Sequence, residues 1–425
     1  MVSATTSMTA TNQTRVQHPS SKQRHISIVT ETYPPEVNGV ALTLARWVEG
    51  LRLRGYFVSV LRPRQSFDSA SAPFDPALTL VPGLPLPGYK GLRFGLPAGH
   101  RLRRYWTERR PDVVYVATEG PLGWSAVSVA RRLAIPVFSG FHTNFHSYLK
   151  HYHARRLQSL MLRYLCWFHR RTVGTLVPSV DLRDRLRTMG LENIGIVDRG
   201  VDSELFMPRR RSAPLRRTWG ASGKDIVALY VGRVAPEKNV DLAVEAYYAM
   251  RQFDPSVKFV VVGDGPTRAA LQKRYPDIIF CGVHTGEELA QRYASADIFL
   301  FPSETETFGN VTLEAMASGL GVVAYNYAAA GMHMLDGYTG MLAPYGNAQA
   351  FVDAALKLIR DRQSLARIRR DARAHAESVD WQRVVETFAA VLFRPLEQHH
   401  ATPDDSDSEI VFAPRFTNSI TVNDL

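Results

Sequence analysis

The sequence predicts an α/β protein with two Rossmann-like domains, each a parallel sheet wound with helices. Short β-branched runs alternate with helical stretches along the whole chain, which is the pattern of such sheets. A length of 425 residues suits two domains of this kind better than one. Unusual polar motifs also follow directly after several predicted strands. Because ligands bind beyond the carboxyl ends of strands in open α/β sheets, we expect a site in a cleft between two facing domains.

The predicted strands form two sets of six. The first set is HISIVT, FVSVLR, DVVYVA, PVFSGF, GTLVPS and IGIVDRG, and the second is DIVALYVG, KFVVVG, DIIFCG, ADIFLFPS, GVVAY and TGMLAP. The two sets are joined near residues 199–211, so the predicted domains span residues 25–203 and 204–379. A helical segment, DWQRVVETFAAVLF, follows the second set. Because the second predicted sheet is then complete, this helix must pack against a part of the protein that precedes it in the chain.

The ends of the chain have the composition of unfolded segments. Residues 1–24 are polar, rich in Ser and Thr and without an apolar centre, and we expect a disordered leader there. The acidic tail, residues 399–425, contains DDSDSE and is also expected to be poorly ordered.

The sequence has no apolar run of the roughly 18 residues that a transmembrane helix needs. Two cysteines outside any CxxC pattern argue against a disulfide framework or zinc site and favour a reduced, cytoplasmic setting.

Positive charge is concentrated in the first half of the chain. The net charge is +11, but residues 1–200 hold 27 Lys and Arg against 12 Asp and Glu, and the remainder holds 24 against 28. The densest stretches, residues 90–110 and 148–171, interleave Arg and His with aromatic side chains. Such a surface attracts anionic lipid or nucleic acid. A well-solvated Arg-rich helix over an ordinary core explains the pattern equally well.

The stretch SETETFGNVTLEAMASG, residues 303–319, follows a predicted strand and places two carboxylates eight residues apart. Gly309 breaks the local pattern and Asn310 is a good N-cap, so a helix is predicted to begin near residue 310. Glu306 then lies on a loop and Glu314 one turn into the helix. A helix start has unpaired N–H groups suited to a phosphate, here those of Phe308, Gly309 and Asn310. Either carboxylate can accept hydrogen bonds from a sugar diol, although Glu314 could instead only complement the helix dipole.

Three further motifs supply candidate binding groups. In GRVAPEKNVDLAVEA, Arg233 and Lys238 surround a helix start and suit a diphosphate, unless they are only solvated surface charges. Gly39 opens an amphipathic helix, where it either lets backbone N–H groups approach an anion or only forms a turn. His142, in FHTNFHSY, can hydrogen-bond a sugar hydroxyl or be structural. Val283, after the FCG turn, is a candidate contact for a base.

Metal-binding patterns are weak in this sequence. His146, His151 and His153 lack a convincing ligand spacing with carboxylates. The only Asp-x-Asp, at Asp405 and Asp407, lies in the acidic tail. We therefore expect no tightly bound metal and no cofactor.

The motifs PPEVNG, HT, GVDSELF, GRVAPEK, GDGP and ETFG, followed by a second Glu, occur in that order. This set resembles the retaining GT-B glycosyltransferases of family 4, over about residues 25–395. The elements around VNG and HTNF resemble the branch that contains α-mannosyltransferases and diacylglycerol or sulfolipid glycosyltransferases.

The resemblance assigns roles to the candidate residues. Arg233 and Lys238 match the donor diphosphate clamp, Glu314 the carboxylate on the ribose diol, and Glu306 the carboxylate beside the transferred sugar. It also matches the remaining candidates to the phosphate contacts (Phe308, Gly309 and Asn310), the first-domain loop (Asn38 and Gly39) and the histidine near the sugar (His142). The expected catalytic set is Arg233, Lys238, Glu306 and His142.

The helix over residues 380–398 is expected to cross back to the first domain. Two departures are Asn38-Gly39 in place of a double glycine and Gly321 where proline is common.

The implied function is transfer of a hexose, with retention, from GDP-mannose or a UDP-hexose to a hydroxyl acceptor. A membrane lipid such as diacylglycerol or a glycolipid is the expected acceptor, with the enzyme peripheral on the cytoplasmic face of an anionic membrane and with no nucleic-acid partner. A soluble or polysaccharide-precursor acceptor is the alternative.

Two other classes of protein compete with this reading. A nucleotide-cofactor oxidoreductase would explain two Rossmann-like domains, but GDGPTR has Arg268 where the last glycine of GxGxxG belongs. A nucleic-acid-binding protein would explain the basic half, but would leave Glu306 and Glu314 unexplained.

Overall fold

The computed structural model describes residues 23–36, 38–66, 68, 77–85, 93–142 and 155–398. The predicted acidic tail, nearly all of the predicted leader, and His146, His151, His153, Asp405 and Asp407 lie outside the described residues.

The first sheet is parallel and has seven strands. They are β1 (His25–Val29), β2 (Phe57–Pro63), β3 (Leu78–Val81), β6 (Val113–Val116), β7 (Val137–Gly140), β8 (Gly174–Val177) and β9 (Ile194–Ile196), in the order β3-β2-β1-β6-β7-β8-β9. Between β3 and β6, an antiparallel ribbon joins β4 (Gly83–Pro85) to β5 (Arg93–Gly95). The helices of this half are α1 (Gly39–Leu53), α2 (Gly99–Glu108), α3 (Pro121–Arg132), α4 (Arg155–His169) and α5 (Val180–Thr188).

The second sheet is parallel and has six strands. They are β10 (Val227–Val231), β11 (Lys258–Val262), β12 (Ile279–Gly282), β13 (Ile298–Phe301), β14 (Gly321–Tyr325) and β15 (Met341–Ala343), in the order β12-β11-β10-β13-β14-β15. Short 3-10 turns at Pro208–Arg210 and Pro236–Lys238 accompany nine helices in the described part of this half. They are α6 (Ala213–Thr218), α7 (Val240–Phe253), α8 (Arg268–Arg274), α9 (Gly286–Ser295), α10 (Asn310–Ala317), α11 (Ala328–His333), α12 (Ala348–Arg360), α13 (Arg362–Ser378) and α14 (Trp381–Gln398).

These two sheets confirm the predicted fold class, because each of the twelve predicted runs contains a strand of the expected sheet. The sequence reading missed β3 and the β4–β5 ribbon. Both lie in a Pro- and Gly-rich stretch and have only three or four residues per strand, which is too short for a clear period-2 pattern. The predicted domain limits at residues 203 and 379 stay predictions.

The last described helix, α14, packs against α1 in the core of the first sheet. Phe388 of α14 stacks on Trp47 of α1 with ring centroids 4.1 Å apart, and both rings are fully buried. Gly50 of α1 allows the close approach, since a Cβ there would lie 2.7 Å from a methyl of Val385. One apolar core therefore combines residues of the first and the last elements of the described chain. Among the described residues, no helix is long and apolar enough to cross a membrane.

Candidate functional site

The motif loops follow the carboxyl ends of parallel strands in both sheets. The loop after β1 leads into α1, His142 follows β7, and the segments with Arg233 and Glu306 follow β10 and β13. Because carboxyl ends of parallel strands meet at one edge of a sheet, this topology groups the polar side chains on two facing edges.

Lys238 and Glu306 form the centre of the portion of the candidate site that belongs to the second domain. The Lys238 Nζ lies 2.5 Å from Oε1 of Glu306 and donates to the Thr305 carbonyl at 2.9 Å. The Ser303 hydroxyl donates to the same Glu306 oxygen at 2.7 Å. The two charged side chains are only 18% and 16% exposed, so water screens their attraction incompletely. The structure thus brings together a cation and a carboxylate that the sequence separates by 68 positions.

Arg233 is more accessible than Lys238. Its Nη1 lies 3.0 Å from Oε1 of Glu237, four residues further on, and 49% of its side chain is exposed. The Arg233 carbonyl accepts a hydrogen bond from the Tyr230 hydroxyl, which fixes the backbone after β10. The guanidinium is held by a local and largely solvated ion pair, which is weak and can exchange for a stronger anion.

The helix predicted near residue 310 begins there, but its cap differs from the prediction. Asn310 is the first helical residue of α10, and Gly309 is the N-cap with φ of +94°. That left-handed conformation favours glycine. No side chain caps this helix start and its first turn has no acidic residue, so its positive end is not neutralised from within. Phe308 is buried beneath the turn.

Glu314 lies on α10, facing α9. Its Oε2 accepts a hydrogen bond from the Tyr293 hydroxyl at 3.0 Å. Burial raises the pKa of Glu314 to about 7, and the Tyr293 hydrogen bond offsets only part of that rise. A carboxyl poised between its two protonation states at neutral pH is typical of functional sites.

In the first domain, Asn38 and Gly39 begin α1. The Asn38 Oδ1 accepts from the N–H groups of Val40 and Ala41 at 3.1 and 2.9 Å, and its Nδ2 donates to the Thr32 hydroxyl at 2.7 Å. Asn38 is therefore an N-cap, a role that a second glycine could not fill. A Cβ added at Gly39 would lie 3.6 Å from Nη1 of Arg199, an ordinary contact, so crowding within the protein does not require the glycine.

His142 is buried against the first sheet. Its Nε2 lies 2.6 Å from the Tyr115 hydroxyl, and its Nδ1 has no hydrogen-bond partner among the described residues. Burial, helped by the positive charge of Arg199, lowers the pKa of His142 to about 3, so the ring is neutral at physiological pH. A neutral ring with a free nitrogen can still bind a hydroxyl group.

Val283 follows β12, in the same parallel sheet as β10 and β13, and its side chain is 67% exposed. Its contact with a base stays a prediction.

Arg199 is a residue of the cleft that the sequence reading did not single out. It follows β9, is 5% exposed, and donates from Nη1 to Oδ1 of Asn310 at 3.2 Å, so it links the first domain to the start of α10. The available signal was its position: it immediately precedes the GVDSELF motif, within a run already read as a strand.

A resident metal ion has no evident ligand set in the described ranges. Within residues 23–142 and 155–398, excluding the gaps, no three His, Cys, Asp or Glu side chains cluster in a way that could hold one.

Known proteins resemble both halves of the chain. Residues 37–205 match the model of Glycosyltransferase Family 4, and residues 225–361 match that of Glycosyl transferases group 1. A GDP-mannose-dependent alpha-mannosyltransferase of Mycobacterium tuberculosis is 34% identical over 349 residues, which are 80% of this chain and 89% of the relative. An alpha-monoglucosyldiacylglycerol synthase of Streptococcus pneumoniae is 27% identical over 71% of this chain and 70% of its own length.

Solved structures agree on the architecture. A sucrose-phosphate synthase from Thermosynechococcus elongatus aligns with a TM-score of 0.71 at 18% identity, covering 89% of this chain and all of that one. Two facing Rossmann-like domains are the GT-B arrangement that the motifs implied. Related to GDP-mannose mannosyltransferases and to glycolipid synthases along most of its length, the chain belongs to family 4 of the glycosyltransferases and is a glycosyltransferase with the GT-B fold.

Proposed function

We propose that the protein transfers a hexose, with retention of configuration, from GDP-mannose or a UDP-hexose to a hydroxyl group, and that the acceptor is a membrane lipid. The observation that carries the proposal is the Lys238–Glu306 pair beside the uncapped start of α10. This arrangement offers a cation and a helix N-terminus to a diphosphate, and a carboxylate to a sugar. The names of the relatives support it, since one is a GDP-mannose-dependent mannosyltransferase and another a glucosyldiacylglycerol synthase.

Arg233 and Lys238 would stabilise the leaving diphosphate. Each now pairs with a carboxylate, Glu237 and Glu306 respectively, and a diphosphate with more negative charge would compete for both. Cations fixed in a partly buried site can stabilise charge as it develops, without reorganisation during the reaction. We therefore propose a reaction that needs no tightly bound metal or cofactor.

The proposed step is a front-side displacement. The acceptor oxygen bonds to the anomeric carbon on the face from which the diphosphate leaves, and the bond between that carbon and the phosphate oxygen breaks. The acceptor proton passes to the departing phosphate, so the products are a glycoside and a nucleoside diphosphate. Glu306 would orient the sugar, His142 would bind one of its hydroxyls as a neutral ring, and Glu314 would bind the ribose diol.

Replacing Lys238 tests the diphosphate clamp. A charged hydrogen bond contributes roughly 1.5 to 3 kcal/mol, so Lys238→Ala should lower kcat/KM by about 10- to 150-fold or more. Lys224→Ala is the matched control, because Lys224 is exposed and precedes β10, at the opposite edge of the same sheet. Turnover is measured as released nucleoside diphosphate, and the far-UV spectrum verifies folding. Near-normal turnover of a folded Lys238→Ala protein would remove Lys238 from the mechanism.

The choice of a lipid acceptor is supported by the outer surface of the first domain. We call this surface the basic face; it comprises the exposed arginines on and beside α2, α3 and α4, namely Arg101, Arg103, Arg104, Arg109, Arg110, Arg131, Arg132, Arg163 and Arg170. Trp167 of α4 is partly exposed, stacks on Trp124 of α3 at 4.4 Å, and lies 4.0 Å beneath the guanidinium of Arg171. Arginines interleaved with amphipathic rings suit an anionic membrane surface, where we place the protein as a peripheral enzyme on the cytoplasmic side.

A donor and acceptor panel decides the remaining choices. GDP- and UDP-sugars are each incubated with a lipid extract, with a soluble glycan fraction, and with both, in the presence and absence of a chelator. We expect diphosphate release with the lipid extract and no effect of the chelator. Release with the glycan fraction alone would favour the soluble or polysaccharide-precursor acceptor.

A further inference from the structure

Two helix starts from different domains lie beside one buried guanidinium. Arg199 donates from Nη1 to the side chain of Asn310, the first residue of α10, at 3.2 Å. The same nitrogen would lie 3.6 Å from a Cβ built on Gly39, the first residue of α1. Neither helix has an acidic residue in its first turn. The positive ends of two helices and an arginine therefore converge on one place.

The charge of Arg199 has little direct compensation. The residue is 5% exposed, its Nε has no hydrogen-bond partner among the described residues, and no carboxylate in the described part of the chain forms an ion pair with it. The neighbouring carboxylate of Asp198 pairs with His333 at 3.1 Å, and that of Glu306 pairs with Lys238. Burial lowers the pKa of Arg199 to about 10, which still leaves it charged at neutral pH. A buried cation with so few partners is costly unless an anion completes its surroundings.

The ring of Phe308 fixes the orientation of this cation. The guanidinium carbon lies 5.6 Å from the ring centroid, within the range of a cation–π contact. Because Phe308 immediately precedes the N-cap of α10, the same contact holds Arg199 next to the free N–H groups of that helix. A phosphate is the anion that best fits a planar guanidinium fork together with backbone N–H groups.

We propose that Arg199 binds the distal phosphate of the nucleotide-sugar donor between the starts of α1 and α10, as a third cation besides Arg233 and Lys238. This inference rests on the proposed function and adds a residue from the end of the first sheet to the donor site. Arg199 would approach the phosphate from the first-domain side, whereas Arg233 and Lys238 belong to the second domain. Since Gly39 and Asn310 lie in different domains, the bound phosphate would also hold the two domains together.

Calorimetric titration of Arg199→Met and Arg199→Lys tests the assignment. The probes are GDP and GMP, replaced by UDP and UMP if the unmodified protein binds uridine nucleotides. We expect Arg199→Met to weaken diphosphate binding about 10-fold or more, with monophosphate affinity changed less than about twofold. Arg199→Lys should recover part of the loss, because lysine keeps the positive charge but lacks the planar guanidinium that donates two parallel hydrogen bonds.

Arg46→Met is the matched control. Arg46 is an α1 arginine that pairs with Asp202 at 2.6 Å, so the variant also removes a long-range arginine contact without touching the donor site. It should leave both affinities unchanged. The thermal midpoint of Arg199→Met should be equal to or above that of the unmodified protein, since a buried cation with few partners is lost.

Three outcomes would overturn the inference. Equal losses for diphosphate and monophosphate would remove Arg199 from the distal phosphate, and an equal loss in Arg46→Met would assign the effect to domain contacts. Arg199-dependent binding of glycerol 3-phosphate without any change for the diphosphate would assign the phosphate to the acceptor. Failure of the unmodified protein to bind any of the four nucleotides would instead contradict the proposed function itself.

Discussion

Glu314 has a protonation state that depends on the fold. Its pKa is raised by burial from 4.5 to about 7, so between these pH values the folded protein keeps a proton that the unfolded chain releases. Folding is then favoured by this group at low pH, and the contribution is lost as the pH rises through 7. The protein retains a carboxylate at a cost in stability above neutral pH, which is typical of a residue kept for binding.

Replacing Glu314 by Gln removes this titration. The variant should gain stability relative to the unmodified protein as the pH rises from 4 to 8, by up to about 3 kcal/mol for a shift of this size. Urea unfolding at pH 4 and pH 8 measures the difference, and Glu304→Gln, at an exposed position of the preceding loop, is the control. A stability difference that is the same at both pH values would contradict the raised pKa.

At the scale of elements, the packing of α14 on α1 closes the first core. Phe388 stacks on Trp47 and also meets the ring of Tyr115 edge-on at 5.0 Å. The Tyr115 hydroxyl in turn contacts His142. The last helix therefore supports the floor of the first-domain part of the site, although it is far from that site in sequence.

Phe388→Ala should destabilise the protein by about 3 to 5 kcal/mol, because it leaves a cavity beside the rings of Trp47 and Tyr115. Glu386→Ala on the same helix is the control: Glu386 is largely exposed and pairs only with Arg54 among its charged neighbours in the described chain, so about 1 kcal/mol or less is expected. Thermal unfolding followed by tryptophan fluorescence reports both. Equal, small effects would show that α14 is dispensable for the first core.

Local patterns in the sequence predicted the elements well and their contacts less well. Twelve strands and the start of α10 follow from periodicity and from Gly and Asn signals. The Tyr115–His142 hydrogen bond and the contact of Arg199 with Asn310 join residues 27 and 111 positions apart, and no local pattern encodes such pairings. The sequence predicts that the motifs with Lys238 and Glu306 lie at one edge of a sheet, because both follow parallel strands, but it does not predict the direct ion pair between them.

Across the whole molecule, the charged groups of the two domains differ in arrangement. The edge of the second sheet has the ion pairs Lys238–Glu306 and Arg233–Glu237, while the first domain has the basic face on α2, α3 and α4. Under the proposed function, the arginines and partly exposed rings of the basic face would bind the membrane that contains a lipid acceptor.

Reversing two charges of the basic face should weaken membrane binding. Each basic residue near an anionic surface contributes about 1 kcal/mol, so Arg163→Glu with Arg170→Glu should lower partitioning onto anionic vesicles by roughly 10-fold or more. Lys224→Glu with Lys273→Glu, both exposed in the second domain, changes the net charge equally and should have a much smaller effect. Flotation with anionic and with neutral vesicles at low and high salt measures both.

Because the attraction is screened within about 10 Å at 0.1 M salt, binding should fall steeply with ionic strength. Equal losses in the two double variants would mean that net charge acts without the basic face, and binding to neither vesicle at any salt concentration would contradict the lipid acceptor.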